Sequence, residues 1–462
     1  MLVLLVTHVL GACAPGSHPQ DVSRTDHMRL SSTSMPAMKS FASQSTKPTR
    51  RANATIARDF LDLSFRLESG RDLPVFTRFE GPITLRVTGN APSSLGRDLR
   101  FLLGRLHREA GIAITTVPPT AQAAITIEMV PRAQLQRLVP HAACFVAPRI
   151  SSWAEYKKSR RSAKLDWKTL TEREQLAIFI PGDVAPQEIR DCLHEELAQA
   201  LGPLNDLYRL SDSVFNDDNF HTVLTGFDML ILRTYYAPEL HSGMTRSEVA
   251  DRLPLVLARL NPAGGRVTPL PAETTPRQWV DAVETALSPR ASKTRRKEAA
   301  NTAVRIAQRR GWTDNRAAFS LFILARLTVA DEIDTALSAF LEAGRLYRAN
   351  PETSLQAAHV GMQLAAFSLS AGQAEAAIGI VNRHLPVITA SQNAALLATM
   401  LMVKAEALET VGRASEARAV RLDSLGWARY GFGSDSEVRA RLSEIAALAP
   451  KQTMLEAKAG TL

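Results

Sequence analysis

The sequence lacks most of the short motifs that define common enzyme classes. It contains no glycine-rich phosphate loop, no Cys-x-x-Cys pair and no nucleophile elbow, which are the usual signatures of nucleotide-binding proteins, thiol oxidoreductases and α/β-hydrolases. Only three cysteines occur in 462 residues. Beyond the first ten residues, no stretch approaches the ~20 consecutive apolar residues that a membrane-spanning helix needs. The length and the 45% hydrophobic content predict two or three globular domains.

The formal net charge of +9 is spread along the chain and is densest at Lys293, Arg295, Arg296 and Lys297. No aromatic residues interleave with this patch, as binding to single-stranded nucleic acid would require. We therefore predict a solvated helix face and no nucleic-acid partner. A basic surface could still favour anionic lipid or wall polymer.

The first thirteen residues indicate export. Met1 to Leu10 is a short apolar run, and Leu10-Gly11-Ala12-Cys13 closes it with small residues before a cysteine. This arrangement resembles the lipobox of bacterial lipoproteins, which implies cleavage before Cys13, acylation of that residue, and a lipid-anchored, periplasm-facing place in the cell envelope. No Lys or Arg precedes the run, which departs from the usual signal peptide. The alternative is a disordered apolar N-terminus with a chance cysteine.

If the chain is exported and Cys13 is acylated, Cys144 and Cys192 are the two remaining cysteines, and they lie in an oxidising compartment. We predict that they form a disulfide. Two unrelated buried thiols are the alternative, since spacing alone does not demonstrate pairing.

The central region alternates strand and helix signals. Residues 83–87 and 124–130 read as strands, and the wholly apolar residues 176–180 read as a strand interior to a sheet. Leucines at helical spacing lie between the first two strands, before Gly111. We predict an α+β domain with a mixed sheet and long helices, followed by an all-α region. The predicted segments are a signal peptide at 1–13, a flexible tether at 14–53, the α+β domain at 54–259, a linker at 260–290 and helical repeats at 291–450.

The C-terminal region contains three similar turn segments, beginning at Ala330, Ala371 and Val411, which recur every 40 or 41 residues. This period resembles that of tetratricopeptide-type helical hairpins, which bury their faces by stacking and bind peptides or partner proteins on a concave surface. A protein or peptide partner is therefore expected here. A non-repetitive helical bundle is the alternative.

One predicted helix contains most of the residues with candidate catalytic side chains. In the segment 192–206, Glu195, Glu196 and Gln199 lie within about 100° of one another, and Gly202-Pro203 ends the helix before Asn205 and Asp206. No Lys or Arg accompanies these polar residues, which is typical of a cleft rather than a solvent face.

The same segment resembles the zinc-binding helix of the metzincin metallopeptidases, His-Glu-x-x-His-x-x-Gly-x-x-His or Asp. Glu195 takes the place of the first histidine and Glu196 that of the catalytic glutamate. Gln199 and Asn205 take the places of the other two ligands. Because amides are poor zinc ligands, neither zinc nor the peptidase mechanism is inherited, and no cofactor is expected. His194 does not restore the site, since it projects about 140° away from Gln199.

The motif Glu-Glu-x-x-Gln-x-x-Gly-x-x-Asn-Asp, together with the segment 213–217 and Leu224-Thr225-x-x-Asp228, is similar to a family of bacterial lipoproteins of unknown function. The resemblance covers residues 55–255 and leads us to expect the two cysteines Cys144 and Cys192. Because the function of this family is unknown, the resemblance implies no activity.

Three functions fit these residues. The first is an inactive peptidase-like domain that serves as a binding or scaffolding module. The second is an envelope hydrolase of peptide or glycan bonds that uses Glu195, Glu196 and Asp206 as acid and base, or holds a hard cation such as Ca²⁺ with the help of the Asn205 carbonyl oxygen. The third is a purely structural role. The candidate catalytic residues are Glu195, Glu196, Gln199 and Asp206, and the candidate binding residues are Asn205, Asn216 and Asp217.

Overall fold

The computed structural model describes residues 35–42, 46–140, 142–269 and 273–450. The predicted signal peptide, with Cys13, lies outside the described residues, as does the first part of the predicted tether. The chain divides into two compact units. The α/β unit comprises Ala42–Glu284 and Asp314–Arg316, and the helical unit comprises Thr285–Thr313 with the described parts of 4–41 and 317–462.

The α/β unit contains five strands and begins with α1. The strands are β1 (Ile83–Gly89), β2 (Ile114–Thr116), β3 (Ile125–Val130), β4 (Phe145–Pro148) and β5 (Leu176–Pro181). The helices are α1 (Asn53–Ser64), α2 (Leu95–Arg105), α3 (Arg132–Leu138), α4 (Trp153–Ser159), α5 (Pro186–Leu201), α6 (Gly226–Tyr235), α7 (Arg246–Leu260) and most of α8 (Arg277–Leu287).

The five strands form one mixed sheet in the order β2-β1-β3-β5-β4. Four strands are parallel, and β4 runs antiparallel to β5 at one edge. The predicted mixed sheet, followed by a helical region, is therefore confirmed.

Both faces of the sheet are covered, which explains why β5 is apolar throughout. Leu176, Ile178 and Ile180 face the main core, together with α1, α2, α5, α6 and α7. Ala177 and Phe179 face a smaller core with α3 and α4. A strand buried on both faces has no solvent side and so loses the alternating pattern.

The helical unit consists of antiparallel helices joined by short turns. The helices are α9 (Lys293–Arg309), α10 (Asn315–Thr328), α11 (Ile333–Arg348), α12 (Ser354–Ser370), α13 (Ala374–Ala390), α14 (Ala394–Thr410), α15 (Ala414–Phe432) and α16 (Asp435–Ala446). Each of the helices from α11 to α15 packs on the next one in the chain. Two of the predicted turns contain glycine with positive φ, Gly372 at 76° and Gly412 at 77°, which ends one helix and lets the next begin within three residues. Helical repeats are therefore present.

The basic patch on α9 is largely paired. Lys293 forms an ion pair with Asp331, Lys297 pairs with Glu332, and Arg296 donates to the carbonyl oxygen of Ala286. The acidic turn before α11 thus neutralises part of this face.

Residues 35–42 fall within the segment predicted as a tether and lie along α15. Phe41 stacks on Trp427 with ring centroids 4.5 Å apart, and the Lys39 N–H donates to the Gly426 carbonyl oxygen. A Cβ on Gly426 would come within 2.9 Å of the Lys39 side chain, so the glycine permits this close approach.

The segment predicted as a linker, 260–290, holds a 3₁₀ helix (Pro262–Arg266) and α8. Trp279 of α8 is completely buried and meets Tyr208 edge-on, with ring centroids 5.1 Å apart. Within the described residues, no helix is both long enough and apolar enough to cross a bilayer.

Candidate functional site

Helix α5 forms the floor of the candidate site. Pro186 begins the helix at a position where its missing N–H costs nothing, and Glu188 in the first turn complements the helix dipole. Leu193, Leu197 and Leu201 are fully buried in the main core and hold the helix against the sheet. The opposite stripe carries the polar residues.

A buried arginine caps the C-terminal end of α5. The Arg173 guanidinium donates to the carbonyl oxygens of Gln199 at 2.5 Å and Ala200 at 2.8 Å, and also to that of Gly202. Carbonyl oxygens at the end of a helix lack the usual partner four residues on, and the Gly202 N–H reaches that of Gln199 only at 3.3 Å, so a cation at this end satisfies them and complements the dipole. Arg173 therefore fixes the direction in which the chain leaves α5.

The turn after α5 is anchored to the end of α1. The Leu204 N–H donates to the Leu63 carbonyl oxygen at 3.0 Å, and the Asn205 side-chain amide donates to the Asp62 carbonyl oxygen at 2.9 Å. The side-chain amide of Asn205, a predicted binding residue, is therefore engaged with the backbone of α1.

Glu196 lies below the edge strand. It is 0% exposed, and both carboxyl oxygens lack a hydrogen-bond partner among the described residues. Burial raises its pKa well above the usual value, the charges of Glu195 and Glu68 raise it further, and the Val146 N–H, which faces it without completing an ordinary hydrogen bond, opposes this shift. The environment of this carboxyl therefore favours its neutral, protonated form. Gln199, one turn further along α5, is 4% exposed, and its amide nitrogen also lacks a partner within the described chain.

The Cys144–Cys192 disulfide joins the residue before β4 to α5. The predicted pairing is confirmed. It places the edge strand directly over the polar stripe of the helix, because Cys192 lies one turn before Glu195 and Glu196.

The backbone of β4 presents hydrogen-bonding groups away from the sheet. Arg149, directly after β4, donates its N–H to the Gln175 carbonyl oxygen, and the register pairs Ala147 with Ala177 and Val146 with Ile178. Because bonded and non-bonded pairs alternate along an antiparallel ladder, Val146 directs its N–H and C=O away from β5. No other strand of the described residues pairs with that side.

Three further carboxyls on α5 and in the loops that follow it, those of Glu195, Asp206 and Asp217, also have raised pKa values. Although part of the Glu195 residue reaches solvent, burial of its carboxyl and the charges of Glu68 and Asp217 raise its pKa to about 8. Burial and the charge of Glu68 likewise raise the pKa of Asp217 to about 7. The pKa of Asp206 is raised well above the usual value by burial and then by Glu68, Asp217 and Glu195. Glu68 approaches Asp206 closely, yet neither Asp206 oxygen makes an ordinary hydrogen bond to a described residue.

The remaining predicted residue, Asn216, is locked in place. Its side-chain amide donates to the Leu210 carbonyl oxygen and to the Asp218 carboxylate, and its side-chain oxygen accepts from the Asp218 N–H at 3.1 Å. The structure thus brings Glu195, Glu196, Asp206 and Asp217 together and assigns Asn205 and Asn216 to the loops that position them.

His194 lies outside this group. It is buried, and its Nδ1 accepts the Leu224 N–H at 3.2 Å. Burial, and then the positive charges of Arg105 and Arg190, lower its pKa well below the usual value. It therefore serves as a neutral packing residue, in agreement with its predicted direction on the helix.

Sequence reasoning missed Glu68 and Arg173. Glu68 lies in a tight hairpin in which Leu67 donates its N–H to the Arg71 carbonyl oxygen and Gly70 has a φ of 79°. The Gly-containing turn was visible in the sequence. The proximity of this turn to α5 was not visible in the sequence, because it depends on the packing of Leu67 against Leu204.

No three His, Cys, Asp or Glu side chains of the described residues converge in an arrangement suited to a metal ion. At the positions aligned with metzincin ligands in the sequence comparison, the structure has the carboxyl of Glu195, the amide of Gln199, whose nitrogen lacks a partner among the described residues, and the amide of Asn205, which is bonded to backbone.

Residues 53–255 match the model of a family described as a protein of unknown function (DUF2927). The matched segment contains the whole sheet, α5 and the four carboxyls, and agrees with the extent predicted from the motifs. It covers less than half of the chain. Neither the curated proteins nor the solved structures include a match to this sequence.

Proposed function

We propose that this chain is an envelope lipoprotein whose α/β unit is a metallopeptidase-like domain that binds an extended peptide without hydrolysing it. The helical unit recruits a protein partner, and acylated Cys13 holds the assembly at a membrane. The observation that carries the peptide-binding role is the unpaired edge of β4 beside the buried carboxyl of Glu196.

The chemistry of α5 supports binding in place of zinc hydrolysis. The residues that replace the metzincin ligands are Glu195, Gln199 and Asn205, and Asn205 is committed to the Asp62 carbonyl oxygen. Two of the three are amides, which bind zinc poorly. Glu196, which stands where the catalytic glutamate would be, has a pKa raised well above its usual value by burial, and this favours the protonated form, which cannot act as a base.

The unpaired edge of β4 supports the proposal that the ligand is an extended peptide. A peptide added to a sheet edge gains main-chain hydrogen bonds, while alternate side chains enter pockets beside the strand. Val146 offers one N–H and one C=O, and the Pro148 carbonyl points in the same direction by alternation. An unprotected edge is otherwise a liability that proteins cover or charge.

The helical unit supports a partner-binding role by its exposed apolar residues. Ile333, Leu337 and Leu341 recur every four residues on α11 and are 52%, 36% and 51% exposed. Large apolar side chains gathered on one helix face are typical of interaction surfaces.

Selection from a phage-displayed library of random linear peptides tests the binding role with the full chain as bait. Val146→Pro removes the outward N–H without breaking a bond to β5, so it should abolish enrichment while the melting temperature is retained. Val146→Thr keeps the N–H and serves as the matched control. Equal enrichment with both variants would disprove binding at this edge.

Labelling of expressing cells with an alkyne analogue of palmitate tests the anchor. The wild-type chain should incorporate label, and Cys13→Ala should not. Equal labelling of the two chains, or none in either, contradicts the lipoprotein assignment.

A hydrolase is the second candidate, favoured by the pKa values of about 8 for Glu195 and about 7 for Asp217. Two carboxyls that titrate near neutrality can act as acid and base. Cleavage of a quenched fluorescent peptide pool that disappears with Glu195→Gln would establish this function and overturn the proposal of binding without hydrolysis.

A further inference from the structure

The last turn of α4 and the loop after it, residues 157–168, form what we call the basic segment. It holds one acid and six Lys or Arg residues, all of them exposed: Lys157, Lys158, Arg160, Arg161, Lys164 and Lys168. Lys164 lies 3.8 Å from the Glu155 carboxylate, and the other five form no ion pair with any described residue. The acid, Asp166, lies 3.8 Å from Arg71, outside the segment. In contrast to the basic patch on α9, this positive charge is almost uncompensated within the described chain.

Helix α4 leads from the middle of the sheet to its unpaired edge. The Trp153 N–H, at the start of the helix, donates to the Glu128 carboxylate of β3 at 2.8 Å. The Trp153 ring lies nearer Phe179 of β5 than Phe145 of β4, with centroid distances of 5.1 and 6.3 Å. The Tyr156 ring reverses this order, at 4.9 Å from Phe145 and 5.6 Å from Phe179. Because the strand order is β3-β5-β4, the helix runs toward β4, and the basic residues that follow Tyr156 continue in that direction.

The loop part of the basic segment is tied to the same edge. Arg149 directly follows β4, and its guanidinium donates to the Lys164 carbonyl oxygen at 3.3 Å and to the Thr169 hydroxyl at 2.7 Å. The 3₁₀ helix Ala163–Leu165 contacts β4 itself. The basic segment therefore borders the edge of β4 on the α4 side of the sheet.

The two faces of β4 differ in charge. Phe145 and Ala147 face the small core beneath α4, whereas Val146 faces the main core on the α5 side, where the Glu196 carboxyl lies. Residues paired directly across two strands project to the same face of a sheet. In a peptide added to β4, every second side chain would thus point to the side of the basic segment, and the intervening ones to the side of Glu196.

We propose that the peptide bound at β4 carries Asp or Glu at alternate positions, and that the basic segment recognises these carboxylates. This inference rests on the peptide-binding function proposed above and adds the class of its ligand. Lys and Arg pair with carboxylates, and their long side chains span the ~4.8 Å between neighbouring strands. Acidic residues at the intervening positions are disfavoured, because they would approach the carboxyl of Glu196.

An anionic bilayer fits this surface less well. Proteins that lie on a bilayer insert apolar side chains beside their cations. The aromatic rings of α4 are packed against the sheet, and none of the strongly exposed large apolar side chains of the described chain lies in the basic segment. A polar, negatively charged strand is therefore the better occupant.

Selection of random linear peptides on the full chain tests the proposal by the spacing of acidic residues. Enriched sequences should carry Asp or Glu at every second position. At low ionic strength, a selected peptide should bind roughly tenfold more tightly than its Asn/Gln counterpart, and the difference should shrink as salt is added, as expected for several exposed ion pairs. This comparison uses wild-type protein and so does not depend on the folding of a variant.

A charge variant locates the recognition. The preference should vanish in the variant that neutralises the cations nearest the end of α4, Lys157→Gln/Lys158→Gln/Arg160→Gln/Arg161→Gln. It should persist in a control that removes the same charge from four exposed arginines of the helical unit, Arg309→Gln/Arg383→Gln/Arg418→Gln/Arg439→Gln. Both variants should keep the melting temperature of the wild type, since these side chains form no ion pair with a described residue.

The outcomes separate this inference from the function on which it rests. Equal binding of the acidic peptide and its Asn/Gln counterpart, abolished by Val146→Pro, would overturn the acidic preference and leave peptide binding intact. Acidic residues enriched without the alternate spacing, or bound equally well by Val146→Pro, would overturn recognition along β4. No enrichment at all would overturn the inference together with the peptide-binding function. Phosphatidylglycerol vesicles that then bind the wild type but not the variant lacking the α4 cations would assign the basic segment to a lipid surface.

Discussion

Cys144 and Cys192 are joined by a disulfide that ties the edge strand β4 to α5, with Cα atoms 5.9 Å apart. The bridge closes a segment of 48 residues that contains β4, α4 and β5. It thereby holds the strand that carries Val146 over the helix that carries Glu196.

Cys144→Ser/Cys192→Ser should lower the free energy of unfolding by about 2–4 kcal/mol, because the unfolded chain regains the entropy that the closed loop removes. Urea unfolding followed by circular dichroism measures this change. Wild-type protein treated with reductant serves as the control and should match the double variant. An unchanged urea midpoint in both would show that the bridge does not form.

Asp228, which belongs to the motif Leu224-Thr225-x-x-Asp228, holds the loop before α6 in place. It is completely buried and accepts hydrogen bonds from the Ser213 hydroxyl and from the N–H groups of Thr225 at 2.7 Å and Val214 at 3.2 Å. Asp228→Ala should lower the free energy of unfolding by about 3 kcal/mol, because it leaves several buried donors unpaired.

Glu248→Ala is the matched control for this change. Glu248 occupies the same capping-box position of α7 but is exposed, so its loss should cost only about 1 kcal/mol or less. Equal effects of the two substitutions in thermal unfolding would contradict the proposed anchoring role of Asp228.

Gly202 ends α5 against an aromatic ring. A Cβ at this position would lie 2.7 Å from Tyr235 Cδ1, and Tyr235 is only 1% exposed and so has no room to move. Gly202→Ala should lower the free energy of unfolding by about 2 kcal/mol through overpacking. Gly81→Ala is the control, since nothing lies within 4 Å of its Cβ position. Gly202→Ala should therefore melt at a lower temperature than Gly81→Ala. Equal melting temperatures would contradict the close contact between residue 202 and the Tyr235 ring.

The raised pKa of Glu195 predicts a pH dependence of stability. The pKa of Glu195 is raised to about 8 in the folded state, while the unfolded chain releases this proton near pH 4. The folded state therefore binds more protons between these values, and the contribution of Glu195 to the free energy of unfolding falls as the pH rises from about 4 to about 8. Above that range it is constant.

Comparison of the wild type with Glu195→Gln tests this contribution together with its coupling to Glu196 and Asp206, whose pKa values the charge of Glu195 raises and whose effect on the difference has the same sign. His194 and His221 have lowered pKa values and act in the opposite sense below about pH 6.5, but their contributions are common to both proteins and cancel in the difference. Urea unfolding between pH 5 and 9 should show the variant gaining stability relative to the wild type as the pH rises. A difference that stays constant, or falls, would contradict the raised pKa.

The periodic features of the chain were predictable, because they depend on local patterns. The apolar run of β5 and the leucine spacing of α2 appear where the sequence places them, and the π-helical segment that continues α2 (Leu106–Ala110) ends at Gly111 as predicted. Helical hairpins at a constant period follow from the same kind of signal. The disulfide was also predicted, although by compartment and family resemblance and not by geometry.

The sequence by itself determined β1, β3 and β5, the helix between β1 and β3, and the polar stripe of α5, since each follows from residue spacing within a few turns. It did not predict the two short edge strands β2 and β4. Only the tertiary structure decided that Glu68 joins Glu195, Asp206 and Asp217, and that Asn205 and Asn216 are held by backbone carbonyls. It also decided that Arg173, far from α5 in the chain, caps that helix. These relationships depend on which distant segments pack together, and packing is set by the whole core, not by any local pattern.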